Sequence, residues 1–382
     1  MEFRGRPLES VKVKKVIRLS KSCLGESEKQ AVLGVLESEY LGMGKEVQYF
    51  EEELTKFFGR PALCVANGTA ALHLSLQAAG VGLGDEILVQ SLTYVASFQA
   101  ISATGAKPVS CDINSNTFCF DWRDAESRLT SKTKAIMPVH YSGGVGDLSE
   151  IYAFAKKYRL RVIEDAAHAF GSEHLGRRIG SFGDIACFSF DGIKNITAGE
   201  GGAVLTSDAN LIQKMQDGRL LGVKKDTEQR ASNQRSWDFD VENQGYRFHM
   251  SNINAGIGIE QLKRIESFKE KRQFIAKRYI KRLTNINEIE LLNFNYSEII
   301  PHIFVIKVEN RNGLRDYLLK LGIECGLHYK PNHMLKMYTD PLIALPITEN
   351  IYNKVISLPC HVDLKLSEQN YVISKIEEFY NV

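Results

Sequence analysis

Residues 160–168 of the chain read Leu160-Arg-Val-Ile-Glu-Asp-Ala-Ala-His168, a short apolar run that ends in an acidic residue. The β-branched Val162 and Ile163 favour a strand, and the length of the run suits a strand buried inside a sheet. Similar runs alternate with stretches of helical period through the first two thirds of the chain. A parallel sheet covered by helices on both faces produces this alternation, because its strands are joined by helical crossovers. The sequence therefore predicts an α/β fold with a largely parallel sheet.

Runs and helical patterns of this kind recur along the chain. The further predicted strands of the first two thirds are Ala62–Ala66, Glu86–Gln90, Pro108–Cys111, Ala135–Val139, Ile185–Phe190 and Ala203–Thr206. The helical patterns between them are Ala70–Ala79, Ala96–Gly105 and Leu148–Tyr158. A polar stretch without apolar period, Gly222–Asn243, predicts a long surface loop.

The last third of the chain predicts a second, smaller α/β unit. A long helical pattern begins at Asn252 and becomes highly charged near Lys269–Lys281. Beyond it lie one predicted strand, Pro301–Val308, and two predicted helices, Gly313–Leu321 and Leu366–Phe379. We therefore expect two domains: residues 1–275, an N-terminal arm with a large domain, and residues 276–382, a small domain.

The composition of the 382 residues argues against several classes of function. Hydrophobic residues make up 44% of the chain and charged residues 25%, as is ordinary for a globular enzyme. The net charge of +2 gives no electrostatic reason to bind nucleic acid. No apolar run approaches the ~20 residues that span a bilayer, and the seven scattered cysteines indicate neither a disulfide framework nor a metal site. We expect a reduced, cytoplasmic protein with no metal, nucleic-acid or membrane partner.

One lysine has apolar neighbours in the sequence. Lys194 lies in the run Ser189-Phe-Asp-Gly-Ile-Lys-Asn-Ile-Thr-Ala-Gly-Glu-Gly-Gly202, close to Phe188, Phe190 and Ile193. Apolar surroundings disfavour the charged form of an amine and lower its pKa. A neutral lysine amine can hold an aldehyde cofactor as a Schiff base. Taken alone, however, Lys194 would be one more surface lysine.

Asp165 is the second candidate residue for binding such a cofactor. It follows the predicted strand Arg161–Glu164, and ligand sites in open α/β sheets form beyond the carboxyl ends of the strands. A buried carboxylate needs a cationic partner, which a protonated pyridine nitrogen would supply. Because Ala166-Ala-His-Ala169 follows directly, a helix N-cap is an alternative role. Together, Lys194 and Asp165 predict a site for pyridoxal phosphate (PLP).

A third segment is suited to the phosphate of such a cofactor. The run Asn67-Gly-Thr-Ala-Ala-Leu-His-Leu74 follows a predicted strand and opens a helix, whose first N–H groups attract anions. Gly68 permits close approach of the backbone, Thr69 can cap the helix and offer a hydroxyl, and Ser189 could bind the same phosphate. A cap without a ligand is the alternative. By contrast, Gly80-Val-Gly-Leu-Gly84 follows a helix and precedes a strand, which is the reverse of a dinucleotide-binding order, and predicts a turn.

These segments, in this order, resemble the sugar aminotransferases of the DegT/DnrJ/EryC1/StrS family from about Ile17 onward, over nearly the whole chain. The segments that carry the resemblance are Tyr40–Gly44, Ala66–Thr69, Gly84–Glu86, Thr93–Tyr94, Glu164–His168, Ser181–Asp184, Lys194–Asn195, Gly199–Gly202 and Ser357–Pro359. Each segment is unspecific alone, but the ordered set is specific. The resemblance implies fold type I of the PLP-dependent transferases, the aspartate aminotransferase-like fold.

The resemblance also implies a role for each candidate residue. Lys194 attaches the cofactor and then moves a proton between cofactor and substrate carbons, while Asp165 keeps the pyridine nitrogen protonated. The other implied cofactor contacts are Tyr94 against the ring, His168 beside the phenolic oxygen, and Gly68, Thr69 and Ser189 around the phosphate. From the residues alone, a place for Tyr94 in the core stays open, because aromatic side chains beside strand ends often pack there.

In this family a second subunit completes the site, so the resemblance implies a homodimer with shared active sites. The segment that reaches the neighbouring site reads Gly245-Tyr-Arg-Phe-His-Met250 here, with Arg247 where the family has asparagine. A guanidinium can still bind phosphate through two parallel N–H bonds. The segment Leu327-His-Tyr-Lys-Pro-Asn-His333 resembles one that borders the sugar, which implies that His328 and Tyr329 contact the substrate.

One reaction follows from these implications. We expect transfer of an amino group from L-glutamate to a nucleotide-linked 4-keto-6-deoxyhexose, with C4 and dTDP favoured, for surface-glycan sugars such as those of the lipopolysaccharide O-antigen. The alternatives are a 3-aminotransferase or dehydratase acting on a nucleotide sugar, and a non-catalytic regulator that retains the fold. Family members that dehydrate sugars replace the lysine by histidine, and a regulator should have lost Lys194 or Asp165. Both residues are present.

Overall fold

A computed structural model describes residues 16–224, 232, 234 and 239–381. Its strands, in chain order, are β1 (Ala62–Val65), β2 (Glu86–Gln90), β3 (Lys107–Cys111), β4 (Thr133–Met137), β5 (Arg161–Asp165), β6 (Glu173–His174), β7 (Arg177–Arg178), β8 (Ile185–Ser189), β9 (Gly202–Thr206), β10 (Ile289–Leu291), β11 (Phe304–Val308) and β12 (Val355–Leu358). The large sheet has the order β1-β9-β8-β5-β4-β2-β3. Strand β9 pairs antiparallel with β1 and β8, whereas the other neighbours pair in parallel. The predicted α/β class is confirmed.

Helices connect and cover these strands. In chain order they are α1 (Glu26–Glu37), α2 (Lys45–Phe58), α3 (Gly68–Ala78), α4 (Val95–Ala103), α5 (Trp122–Ser127), α6 (Leu148–Tyr158), α7 (Ala209–Gly218), α8 (Asn252–Lys263), α9 (Ile265–Leu283), α10 (Arg311–Lys320), α11 (Pro346–Tyr352) and α12 (Leu366–Phe379). Within the described residues, none of them is both long and apolar enough to cross a membrane.

Both faces of the large sheet are buried, as the continuous apolar strands predict. Side chains of a strand alternate between the faces, so Ala186 and Phe188 of β8 join one apolar cluster, and Ile185 and Cys187 join the other. Helices α2 and α8 contribute to the first cluster, and α3, α4 and α7 contribute to the second. Helices therefore pack on both faces of the sheet.

A second sheet is formed near the end of the chain by β10, β11 and β12 in antiparallel pairing. Its apolar face packs with α9, α10 and α12, as shown by the cluster that contains Tyr279, Leu314 and Val372. Gly326 forms a bridge with Ser357 of β12. This bridge fixes the chain just before the candidate substrate residues His328 and Tyr329.

The predicted elements agree with the structure in type and differ mainly at their ends. Helix α6, strand β2 and helix α12 have the predicted bounds. The pattern that starts at Asn252 forms two helices rather than one, because Arg264 leaves the helical conformation with φ −99° and ψ 0°. Gly80–Gly84 forms the predicted turn. Most of the predicted loop between residues 222 and 243 lies outside the described residues.

The predicted domain boundary between residues 275 and 276 falls inside helix α9. The large sheet draws its strands from residues 62–206, and the small sheet draws its strands from residues 289–358. Helix α9 lies between these two groups in the chain. The division into residues 1–275 and 276–382 stays a prediction.

Candidate active site

Two neighbouring strands bring the candidate carboxylate and the candidate lysine to the same end of the large sheet. Strand β5 ends at Asp165, which lies opposite Cys187 of the parallel strand β8. Because Cys187 faces α3 and α4, Asp165 lies on that side as well. Strand β8 ends at Ser189, and Lys194 follows in the loop that leads into β9. The pairing of β5 with β8 therefore fixes the relative position of the two groups.

The loop that carries Lys194 is closed at its base by backbone hydrogen bonds. The N–H of Phe190 donates to the carbonyl of Gly201 at 2.8 Å, and the N–H of Ala198 donates to the carbonyl of Phe190 at 2.8 Å. Within the loop, the N–H of Lys194 donates to the carbonyl of Asp191 at 3.0 Å. The backbone beside the lysine is thus fixed by local contacts.

The next residue anchors this loop to two other parts of the chain. Asn195 is buried, and its side-chain amide donates to the carbonyls of Phe170 at 3.1 Å and Ile300 at 3.2 Å, with a longer contact of 3.4 Å to the carbonyl of His168. An amide nitrogen carries only two N–H bonds, so the longest contact is shared. Asn195 therefore holds Lys194 in place relative to His168.

Burial changes the acid–base behaviour of Lys194. Desolvation lowers the pKa of its amine from 10.5 to about 8, although the charges of Asp165 and Asp191 act in the opposite direction. The neutral amine is the nucleophile, and a lower pKa makes more of it available near neutral pH. Lys194 is thus prepared for attack on a carbonyl, as its apolar neighbours in the sequence predict.

The carboxylate of Asp165 is buried and hydrogen-bonded at both oxygens. Oδ2 accepts from the hydroxyl of Ser97 at 2.7 Å, and Oδ1 accepts from the N–H of Ala167 at 3.2 Å. No helix begins after Asp165, because residues 166–172 form turns. The alternative role as a helix N-cap is therefore wrong, and the carboxylate faces the cavity described below.

The start of helix α3 lies against the end of β8. The side chain of Asn67 caps the helix by accepting from the N–H of Ala70 at 2.8 Å, so the cap is Asn67 and not Thr69. Thr69 is exposed at the first turn, which leaves its hydroxyl free for a ligand. A Cβ atom on Gly68 would lie 2.8 Å from Cβ of Ser189, so glycine is what permits this close approach. The arrangement can hold a phosphate between the helix terminus and the Ser189 hydroxyl.

Tyr94 and Tyr329 form an aromatic wall beside these groups. The side chain of Tyr94 is 59% exposed, which excludes the core position that its sequence also allowed. Its ring centroid lies 5.6 Å from that of Tyr329, and the Tyr329 hydroxyl is 3.1 Å from Nε2 of His168. The contact joins a predicted substrate residue to a predicted cofactor residue.

Three histidines stand close together beside this wall. The rings of His168 and His302 are 4.4 Å apart, and Nδ1 of His328 lies 2.7 Å from the Ser357 hydroxyl. Burial holds the pKa of His168 and of His302 well below the usual range and lowers the pKa of His328 to about 4. All three imidazoles are therefore neutral at physiological pH, and each can donate and accept one hydrogen bond.

These elements enclose a cavity of about 540 Å³. Nine of the ten candidate residues line it, namely Gly68, Thr69, Tyr94, Asp165, His168, Ser189, Lys194, His328 and Tyr329. A larger and more open cleft of about 880 Å³, lined by Lys21, Phe274 and Leu366 among others, contains none of the candidates. The cavity at the carboxyl end of the sheet is therefore the candidate active site.

Arg247, the tenth candidate, does not line the cavity of its own chain. Its neighbours Tyr246 and Phe248 stack at 4.9 Å, and both rings face His73 of α3. Arg247 alternates with them and is exposed. Its contribution to the site of a second subunit stays a prediction.

The model of the DegT/DnrJ/EryC1/StrS aminotransferase family matches residues 22–377. This match covers most of the chain. The chain belongs to this family.

Solved structures of similar proteins agree with that membership. Spr1654 from Streptococcus pneumoniae, assigned as a sugar aminotransferase and solved in its PMP form, is 30% identical, with 96% of this chain and 98% of that chain covered and a TM-score of 0.89. Helicobacter pylori PseC, an aminotransferase involved in the biosynthesis of pseudoaminic acid, is 29% identical, with 96% and 100% covered and a TM-score of 0.88. S. venezuelae DesV is 31% identical, with 94% and 95% covered and a TM-score of 0.86.

The cofactor of the family follows from these relatives. Spr1654 is also solved in a PLP form, at 29% identity with 96% of this chain and 99% of that chain covered and a TM-score of 0.89. The enzyme described here is a PLP-dependent sugar aminotransferase of fold type I. The resemblance noted from the sequence is thereby confirmed, as is the predicted cofactor.

The residues of the cavity fit PLP at each of its functional ends. When bound, PLP supplies an aldehyde for covalent attachment and a ring that withdraws electrons from the substrate carbon. Lys194 would attach the aldehyde, and the carboxylate of Asp165 would bind the protonated ring nitrogen. Ser189 and the first turn of α3 with Gly68 would hold the phosphate. Such a dianion is stabilised by the N–H groups and dipole of the helix.

Sequence reasoning missed several residues that the structure brings to the site. Asn67, Thr93, Glu200 and His302 also line the cavity. His302 lies beside a buried apolar strand, and nothing in its sequence context marks it as a site residue. Asn67 carried a signal, because asparagine at the start of a helix is as good a cap as threonine.

The described residues hold no cluster of three or more histidine, cysteine, aspartate or glutamate side chains that could bind a metal ion. The cysteines that the structure describes are all free thiols. Most of them are buried, and burial raises the pKa of the Cys119 thiol to about 12. A thiol with a raised pKa is a poor nucleophile near neutral pH.

Proposed function

We propose that this aminotransferase moves an amino group from L-glutamate to the C4 keto group of a nucleotide-linked 4-keto-6-deoxyhexose. The observation that carries the proposal is the shared cavity of Lys194 and Asp165, next to a helix terminus suited to phosphate. In it, Lys194 would attach the cofactor and would carry a proton between cofactor and substrate. Asp165 would hold the proton on the ring nitrogen, where positive charge lets the ring withdraw electrons.

The aromatic wall of the cavity is suited to a polar sugar. Tyr329 offers an aromatic face, and His328 lies beside it within the same cavity, while Tyr94 is proposed to lie against the cofactor ring. Aromatic rings pack against the apolar face of a pyranose, while hydroxyl and imidazole groups can hydrogen-bond its substituents. We therefore assign substrate binding to His328 and Tyr329.

The nucleotide and the position of amination belong to the same proposal. We favour dTDP and C4, on the resemblance of the sequence to the family. An amino sugar of this kind would enter a surface glycan such as the O-antigen, and its synthesis would take place in the cytoplasm. We further propose a homodimer in which Arg247 of each subunit binds the cofactor phosphate in the other subunit's site.

A direct assay tests the reaction. The purified enzyme is incubated with PLP, L-glutamate and a panel of dTDP-, UDP- and GDP-linked keto sugars, and products are identified by mass spectrometry. Proton NMR of the product then distinguishes an amine at C4 from one at C3. We expect exchange of the keto oxygen for an amino group on a dTDP-linked 4-keto-6-deoxyhexose, and none with the Lys194→Ala variant.

Two results would reject the proposal. A product that has lost water without gaining nitrogen would identify a dehydratase. No reaction with any sugar, by a protein that binds PLP and accepts the amino group of glutamate, would place its acceptor outside the nucleotide sugars.

A further inference from the structure

The carboxylate of Asp165 has a buried hydroxyl partner that belongs to another helix. Ser97 lies in the first turn of α4, is 1% exposed, and its Oγ stands 2.7 Å from Oδ2 of Asp165. The second oxygen, Oδ1, is bound by the N–H of Ala167 at 3.2 Å. Each carboxylate oxygen therefore accepts one bond from the protein and retains a lone pair for a ligand.

The direction of the bond from Ser97 follows from its surroundings. A serine hydroxyl has one proton, and the oxygens near it belong to Asp165 at 2.7 Å, Thr93 at 3.1 Å and the carbonyl of Tyr94 at 3.4 Å. The proton goes to Asp165, because the nearest acceptor is also the charged one. The hydroxyl of Thr93 then donates to Ser97, which forms a chain from Thr93 through Ser97 to Asp165.

The segment that carries both hydroxyls is held by a distant part of the chain. The side-chain amide of Asn332 donates to the carbonyl of Thr93 at 2.8 Å and to the carbonyl of Ser91 at 3.1 Å. Thr93 and Ser97 are both nearly inaccessible to solvent. The start of α4 also places the positive end of a helix dipole near the carboxylate. These features give the hydroxyl chain a fixed geometry.

We propose that Ser97, supported by Thr93, is a positioning residue that orients the carboxylate of Asp165 toward the ring nitrogen of PLP. A hydrogen bond to a carboxylate favours its ionised form. When carboxylate and ring nitrogen compete for one proton, this bond leaves the proton on the nitrogen. The inference rests on the role proposed above for Asp165, and it gives Ser97 a part in the strength of the electron sink.

The protonation of the ring nitrogen can be measured directly. The enzyme is reconstituted with PLP labelled with ¹⁵N in the ring, and the nitrogen chemical shift is recorded without amino donor. We expect the shift of a protonated pyridine in the wild type and a displacement toward the neutral value in Ser97→Ala. Thr93→Val should produce a smaller displacement, and Thr93→Ser, which keeps the hydroxyl, should match the wild type.

Turnover gives a second, independent measure. Loss of a hydrogen bond to a charged group changes an equilibrium or rate constant by roughly 10-fold or more. We therefore expect kcat of Ser97→Ala to fall about 10-fold. KM for the sugar should stay within about twofold, because Ser97 does not line the cavity. Ser102→Ala is the matched control, since Ser102 lies on the same helix and its hydroxyl bonds to Tyr338 instead.

The outcomes separate this inference from the proposed role of Asp165. An unchanged ¹⁵N shift in Ser97→Ala, with protonation lost in Asp165→Asn, would overturn the part of Ser97 and leave Asp165 in place. If Ser97→Ala lowers the midpoint of unfolding and leaves the ¹⁵N shift unchanged, Ser97 has only a structural role. A ring nitrogen that stays protonated in Asp165→Asn would overturn both.

Discussion

At the scale of single residues, the proposed reaction depends on the amine of Lys194, whose pKa is lowered by burial. We expect Lys194→Ala to bind PLP without covalent attachment and to lose turnover. The visible absorbance of the attached cofactor should be absent, and treatment with borohydride should leave no label on the protein. Lys320→Ala, an exposed lysine of α10, is the control and should behave as the wild type. Turnover by Lys194→Ala at the normal rate would remove this lysine from the chemistry.

The depressed pKa of Lys194 predicts how cofactor attachment depends on pH. The neutral amine is the form that attacks, and its fraction rises with pH until the pKa is passed. Desolvation lowers this pKa from 10.5 to about 8. The rate at which cofactor-free enzyme attaches PLP should therefore rise up to about pH 8 and then level off. Stopped-flow absorbance measures it, and a rate still rising at pH 10 would contradict the burial of the amine.

At the scale of elements, the contact between helix α3 and strand β8 predicts a specific packing defect. Gly68→Ala places a Cβ 2.8 Å from that of Ser189, so the helix terminus must move away from the strand. We expect a loss of about 1–3 kcal/mol in unfolding free energy and weaker binding of PLP, measured by chemical denaturation and by fluorescence titration.

A matched control and a second variant test the cause of that defect. Gly34→Ala lies within helix α1 with no atom near the added methyl, and it should be neutral or slightly stabilising. Ser189→Gly removes the opposing Cβ, so adding it to Gly68→Ala should recover stability, even though the hydroxyl is lost. Independent, additive effects of the two changes would contradict the proposed clash.

The elements also explain what the sequence could and could not predict. Strand β2 and helix α6 were predictable because an apolar run or a clear helical period determines them locally. The turn after Asp165 was not, because Ala166-Ala-His-Ala169 suits a helix. The local bond from the N–H of Ala167 to the Asp165 side chain and the tertiary contact of Asn195 with Phe170 accompany the turn instead. The break at Arg264 likewise lies inside an unbroken helical pattern.

The candidate site also contains residues that the sequence could predict and residues that it could not. The sequence could predict that Lys194 and Asp165 lie in one cavity, because an amine and a carboxylate with these neighbours suit one chemistry. Ser97 could not be predicted, since a serine in a small-residue helix has no distinguishing pattern. It acquires a role only when strand β5 brings Asp165 to within 2.7 Å.

At the scale of the whole molecule, the proposed role of Arg247 predicts that two impaired variants restore activity when they are combined in a mixed dimer. Lys194→Ala and Arg247→Ala should each be impaired alone. In a mixed dimer of the two variants, one site carries both defects and the other carries neither, if Arg247 acts across the interface. We expect purified mixed dimers, made with two affinity tags, to recover about half of the wild-type activity per dimer. Failure to recover activity would place Arg247 in the site of its own subunit, or outside both.

The hydrogen bond between His328 and Ser357 has a consequence for how the enzyme is made. Synthesis on the ribosome delivers helix α3 before Lys194, and Lys194 before β12 with Ser357. A nascent chain that stops before Ser357 would lack this partner of His328. We therefore expect His328 to reach its final position in the cavity only after Ser357 has been synthesised.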